Sequence, residues 1–375
     1  MYGASLFRHR VVMNVLRKRV FALLKGALND VLPESELFRG LSEREWAEVF
    51  AVLSMHGVAV FVFDAVGKMP AECRPSPSVL HRFISQSLRL EKEYELIEKL
   101  SGKMSSLLAD NGIKGVMLKG HTIAVYYMKP FVRKSVDVDI YSPDGGEAID
   151  ALFRSKGVTV DSDFYRHSHF YLNRVMVENH KCLLDIRGRN TLKAHDEELK
   201  MMVKNYLDPF PPGLHRPDPL FAGIFNLHHA LSHFIYEGIS FKFLTDWALF
   251  LKGERDVMAS YEMKDHLERH SLLKFAAAMT VVAVRYMGLS ADYVPSYLAP
   301  EMEGLSPEVM DKFVDDLFRP YEPSHSHNII KERTVNVRRI IKASWKPREF
   351  LGQSAFLFVI NKFIPILLGK KYEAD

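Results

Sequence analysis

Apolar positions recur at a helical period along most of this chain. Val11, Val12, Val15, Leu16, Val20, Leu23 and Leu24 return every three or four residues with Arg and Lys between them, the pattern of a helix with one buried face. Glu45 stands three residues after Ser42. Ser at a helix N-cap and Glu at the third helical position satisfy each other's backbone N–H groups, so a helix is predicted to open there and run through Met55. A polar, proline-bearing break covers Met69 to Pro77. Ser78 to Ala109 then reads as one long helix with Leu96, Leu100, Met104 and Leu107 on a face.

At Gly112 the period changes. Ile113 to Leu118 is a short apolar run closed by Lys119-Gly120, which predicts a buried strand and a tight turn. His121 to Met128 reads as helix, and Val136 to Tyr141 as a second strand with acidic residues at alternate positions. Val136, Val138 and Ile140 suit a buried strand. A helix from Gly145 to Ser155, with Ile149, Leu152 and Phe153 inward, ends at Gly157 in the manner of a C-terminal glycine. Val158 to Val160 is expected as strand, and Phe164 to Leu172 with Val175 to Lys181 as a hairpin about Asn173-Arg174.

The segment 208–219 carries five prolines and a glycine and is expected to be a linker. Helices resume at Leu220: Phe221 to Tyr236, Ile239 to Lys252, Tyr261 to Met287, Pro307 to Phe318 and a C-terminal pair. The expected organisation is therefore an N-terminal helical region (1–110), an α/β core (111–207), the linker and a C-terminal helical domain (220–375). The fold class is α+β, a small mixed sheet with helices between two helical regions.

Composition narrows this picture only a little. A chain of 375 residues with 47% hydrophobic and 26% charged residues has the apolar surface for sizeable cores. The net charge of +4 demands neither a nucleic-acid nor a membrane partner. Two distant cysteines, Cys73 and Cys182, match no metal spacing and fit a reduced, cytoplasmic setting. The first residues lack the apolar core and cleavage site of a secretory signal. The most apolar stretch, Phe350 to Gly369, contains Gln353, Asn361, Lys362 and Pro365. A buried C-terminal helix is expected there, not a transmembrane segment. Its basic flanks leave contact with a membrane surface as the alternative.

The candidate chemistry starts at Asp137 and Asp139. Residues two apart on a strand share a face, so both carboxylates project together, and hard oxygen ligands so placed suit Mg²⁺ or Mn²⁺ shared with substrate phosphates. Carboxylates on a buried strand also need partners. Lys119-Gly120 lets the backbone approach a phosphate before a helix N-terminus, with Lys119 as a point charge and Arg133 as a second phosphate clamp. Glu178, on the later strand Val175 to His180, is the expected third carboxylate, with Asp185 as the runner-up.

Pairing Leu172 with Val175 sets His169 opposite Glu178 and His167 opposite His180 on one face. That arrangement leaves open a His-cluster metalloenzyme binding Zn²⁺ or Fe²⁺. Further on, His228, His229 and His233 share one predicted helix, and Asp246-Trp247 the next. They read as packing or substrate-lining residues, with zinc on His229 and His233, four apart on one face, as the alternative. A run rich in Lys and Arg from Lys331 to Arg348, with Trp345, reads as a solvated helix face or as a stripe facing RNA.

Taken together, NGIKGVMLKGHTIAVYY, RKSVDVDIY and VMVENH resemble the uncharacterised nucleotidyltransferase family, type 5, of the polymerase-β-like superfamily. The helical stretch LHHALSHFIYEGISFKFLTDWALFL and the earlier MPAECRPSPSVLHRF extend the resemblance over most of the chain. It implies metal-dependent transfer of a nucleoside monophosphate from an NTP, with ATP expected, to an unknown small-molecule or macromolecular acceptor. Asp137, Asp139 and Glu178 would hold metal, and Lys119, Gly120, His121 and Arg133 would bind nucleotide. Two features depart from the wider superfamily: Lys119-Gly120-His121 replaces its usual apolar-Gly-Gly/Ser turn, and the third carboxylate is Glu rather than Asp. Alternatives are a toxin-like enzyme modifying tRNA or protein, and a non-catalytic nucleotide-binding module.

Overall fold

A computed structural model describes residues 2–186, 190–209, 214–319 and 341–354. Helix α1 (Tyr2–Asn29) is followed by α2 (Glu43–Met55), α3 (Phe63–Lys68) and the long α4 (Pro77–Asp110). The capping box forms as predicted: the Ser42 side chain accepts from Glu45 N, and the Glu45 side chain accepts from Ser42 N. Along α4 the buried face is Ile97, Leu100, Met104 and Leu108. It is shifted by one position at both ends from the expected stripe, and Leu96 is exposed.

The α/β core contains β1 (Val116–Met117), α5 (His121–Ala124), β2 (Asp137–Tyr141), α6 (Gly146–Ser155), β3 (His167–Leu172), β4 (Val175–His180), α7 (Asn190–Met202), β5 (Tyr206–Pro209) and β6 (His215–Pro217). The strands form one six-stranded mixed sheet in the order β3-β4-β2-β1-β6-β5. β2 runs parallel to β4 with Asp139 opposite Glu178. Asn173 and Arg174 both take positive φ, 46° and 70°, the requirement of a two-residue hairpin turn twisted like its strands. The turn sets the expected register, His169 against Glu178 and His167 against His180. Val158–Val160 is not a strand; Asp161 alone bridges to His169. β5 and β6 bring part of the proline-rich segment into the sheet, with His215 pairing with Val116.

Alternation along the strands divides the sheet between two cores. Met117, Val138, Ile140 and Val177 face α4 and α6. Val116, Leu118 and Tyr141 face the other way, into a larger core shared with the outer helices. Those are α8 (Pro219–Tyr236), α9 (Phe241–Gly253), α10 (Arg255–Ala259), α11 (Tyr261–Arg269), α12 (Leu273–Arg285), α13 (Ala299–Gly304), α14 (Pro307–Leu317) and α15 (Trp345–Leu351). The expected single helix from Tyr261 to Met287 is two, because Ser271 turns the chain through a φ of 56°. Phe21 of α1 packs against Phe241 and Phe318 with ring centroids 5.5 and 5.8 Å away, so N-terminal and C-terminal helices form one body. No helix among the described residues is long and apolar enough to cross a membrane. Residues 355–369 of the apolar C-terminal stretch and 331–340 of the basic run lie outside the described residues. Lys346, within that run, is buried and donates to Asp316 Oδ2 at 2.8 Å, which removes it from any RNA-facing stripe.

One buried ion pair ties the sheet to the outer helices. Arg133, in the loop before β2, donates to both carboxylate oxygens of Asp246 on α9, at 2.8 and 2.9 Å. Tyr127 O–H donates to the same carboxylate at 2.6 Å. Replacing one partner of such a pair strands the other charge without water. Asp246→Ala is expected to lower the unfolding free energy by about 3–5 kcal/mol, read from urea denaturation; a loss within the ordinary surface range would show that the pair does not carry this junction.

Candidate active site

Asp139 sits at 1% exposure, and a carboxylate there is costly unless paired. Its Oδ1 lies 3.0 Å from Lys119 Nζ and 3.0 Å from His180 Nε2. Burial pushes its carboxyl upward, but the lysine and the histidine outweigh burial and hold it well below the usual carboxylate range. The same contacts act in reverse on His180. Burial opposes its charge, yet Asp139 and Glu178 raise it overall. Asp139 Oδ2 is buried and has no hydrogen-bond partner.

Asp137 and Glu178 complete the group. One oxygen from each of the three carboxylates lies within 4.8 Å of the others. Burial first, then Asp139, raises the Asp137 carboxyl. Burial also works upward on Glu178, but the His180 contact brings its net shift downward; the two lie 3.5 Å apart. Strand geometry accounts for the convergence: Asp137 and Asp139 share a face of β2, and the parallel register delivers Glu178 beside Asp139. That face looks toward α8 and α9. Val136, expected in a buried strand, is 61% exposed just outside it.

An all-oxygen donor set with one bare, buried oxygen fits a hard divalent cation such as Mg²⁺ or Mn²⁺. His167, Glu178 and His180 form a second cation-sized group, but it shares Glu178, and His180 is already directed at Asp139. His169 instead lies 3.6 Å from Asp161. Asp185 accepts from Tyr165 O–H, and the three-carboxylate group contains Glu178 in its place.

The remaining expected residues divide. Gly120 takes φ 77°, ψ −109°, a conformation closed to side chains, and turns the chain so that Lys119 reaches Asp139. His121 is buried, stacked on Tyr94 at 4.2 Å between centroids. Burial depresses it to about 4, so it anchors α5 on α4 as a neutral ring. Arg133 borders the site but spends its guanidinium on Asp246 and, at 3.0 Å, on Ser135 Oγ.

Beside Asp137 a cavity of about 320 Å³ opens between the sheet and the outer helices, lined among others by Lys119, His229, His233 and Lys242. Lys242 was not anticipated. The signal was present in FKFLTDWALFL, a single lysine opening a helix whose neighbours are apolar. No carboxylate lies within ion-pair distance of its amine among the described residues. Burial, and then the nearby Arg133, depress the amine to about 8. Burial and Lys119 hold His229 well below the usual histidine range.

Elsewhere His195, His228 and His270 come within ligand distance of one another. However, the His195 and His270 rings stack at 4.1 Å with 17° between planes. In-plane lone pairs of stacked rings cannot converge on one ion.

The small mixed sheet, its helical flanks and the carboxylate-bearing β2 are consistent with a nucleotidyltransferase fold. A family model described as uncharacterised nucleotidyltransferase matches residues 42–288, about two-thirds of the chain, and the protein belongs to that family. No curated protein matches the chain. A solved structure titled "Structure of tRNA-processing enzyme complex 3" aligns at 12% identity over 72% of this chain and 91% of its own, with a TM-score of 0.21, a likeness too weak to bear on fold or activity.

Gly120→Ala is expected to cost about 1–3 kcal/mol in chemical denaturation, because the φ/ψ pair, not space, excludes a Cβ there. An added Cβ would meet nothing closer than Ser135 Oγ at 3.6 Å, so a neutral substitution would mean that the turn relaxes freely.

Proposed function

We propose that this protein transfers a nucleoside monophosphate from an NTP to an acceptor hydroxyl, with Mg²⁺ or Mn²⁺ held by Asp137, Asp139 and Glu178. The observation that carries the reading is the convergence of three carboxylates on one point with Asp139 Oδ2 buried and unpartnered. When bound, the metal supplies charge for the phosphates and lowers the cost of ionising the attacking hydroxyl. The chain does the rest. His180 and the strand backbone hold Asp139 in one orientation. Glu178, kept ionised beside His180, takes the proton of the acceptor hydroxyl as its oxygen bonds to the α-phosphorus and the bond to pyrophosphate breaks. The NTP triphosphate enters the cavity beside Asp137, where Lys242 offers a cation with no carboxylate partner and Lys119 stands at the rim. These charges stabilise pyrophosphate as it departs. Arg133 acts from behind, by fixing Asp246 and the loop before β2, and is a positioning residue rather than the phosphate clamp expected from its place in the sequence. ATP is the expected nucleotide, and the acceptor is a small molecule or macromolecule that can approach the mouth of the cavity.

Incubating the full chain with labelled NTP and Mg²⁺ or Mn²⁺ should release pyrophosphate in the presence of an acceptor extract, and Asp137→Ala with Asp139→Ala should abolish release while the protein stays folded by circular dichroism. Equal turnover by wild type and the double variant would sink the assignment.

A pH profile follows from Lys242. Its amine, depressed to about 8, is charged below that value and neutral above it. kcat/KM for the NTP should therefore fall as pH rises through about 8. Lys242→Arg, whose guanidinium stays charged, should extend the plateau to higher pH. An unchanged alkaline limb in the arginine variant would assign the titration to another group.

A further inference from the structure

The carboxylates already have a resident cation. Lys119 Nζ stands 3.0 Å from Asp139 Oδ1. Its side chain is only 16% exposed, and Asp137 and Glu178 converge with Asp139 beside it. A divalent ion on the same three carboxylates would bring like charge beside that ammonium in a poorly solvated site. The two cations therefore compete. Lys119 also lines the cavity in which Lys242, over the Phe243 ring, has no carboxylate within ion-pair distance among the described residues. Moving there from Asp139 requires rotation of its own side chain, with Gly120 and the strand unmoved. Without an anion, that cavity is hostile to a further cation, since Arg133 and Lys119 already depress Lys242. With a triphosphate present, the same movement is favourable.

We propose that Lys119 is a transferable counter-ion: it neutralises the metal-binding carboxylates in the resting protein and passes to the triphosphate when metal and nucleotide enter together. This rests on the carboxylate site proposed above and goes beyond it by linking the two ligands through one side chain. Linkage is reciprocal, so each ligand removes the obstacle to the other. The resting protein resists metal alone, and His180 keeps Asp139 aligned while the lysine is away.

The test is Mn²⁺ binding, followed by the electron paramagnetic resonance of the free ion, for the full-length wild type, Lys119→Met and Lys119→Arg, each with and without a non-hydrolysable NTP. In the absence of nucleotide, Lys119→Met should bind Mn²⁺ at least about tenfold more tightly than wild type. Lys119→Arg, which keeps the charge, should match wild type. The tightening of Mn²⁺ by the analogue should be smaller in Lys119→Met, because the displaced cation no longer contributes. A merely structural lysine predicts the opposite sign, since its loss would disorder Asp139 and weaken the metal. Should Lys119→Met fail to fold, Lys119→Gln, neutral but able to donate to Asp139, takes its place. Mn²⁺ bound no more tightly by the neutral variant than by wild type overturns the counter-ion role and leaves the carboxylate reading standing. Absence of Mn²⁺ binding by every form, with the analogue present, overturns both.

Discussion

A carboxylate placed inside a protein must be compensated there, and Asp139 meets that requirement with a lysine and a histidine brought by different parts of the chain. Lys119 arrives from the turn after β1, and His180 from the end of β4. Satisfying one aspartate therefore fixes the Lys-Gly turn, the parallel pairing of β2 with β4 and the arrival of Glu178. The compensation is incomplete, since one oxygen stays bare. Stability and ligand affinity meet at that atom.

The opposite wall is made by helices that contribute no carboxylate to the three-carboxylate group. α8 and α9 offer His229, His233 and Lys242 to the cavity and Asp246 to Arg133. Their own burial is almost wholly apolar, so each polar group on their inner faces stands out. Arg133, four residues before Asp137, reads from its position as a nucleotide contact; its planar fork donates to both oxygens of the Asp246 carboxylate, the bidentate match such a fork makes best.

Much of this was legible in the sequence because it depended on local rules. The capping box at Ser42, the strand carrying Asp137 and Asp139, the hairpin about Asn173-Arg174 and its pairing of His169 with Glu178 all follow from short-range geometry. Glu178, favoured over Asp185 because an apolar strand precedes it, is the carboxylate that the parallel register brings beside Asp139. What escaped depended on contacts distant in sequence. The partnership of Arg133 with Asp246 spans more than a hundred residues. Lys242 gains meaning only once α9 is set against the sheet. The strands that take up part of the proline-rich segment are short, so only their pairing with β1 and with each other reveals them. The break at Ser271 carries neither glycine nor proline to announce it.

The junction of Phe21 with Phe241 and Phe318 has a temporal side. A growing chain presents α1 to solvent long before α9 and α14 have been synthesised. Its apolar face must wait, covered by neighbours from α2 and α3 or by a helper, through most of translation. Closure of the body around the sheet is thus a late event of long contact order. The cavity, whose far wall is α9, comes into existence only at that moment, so no nascent intermediate holds it finished.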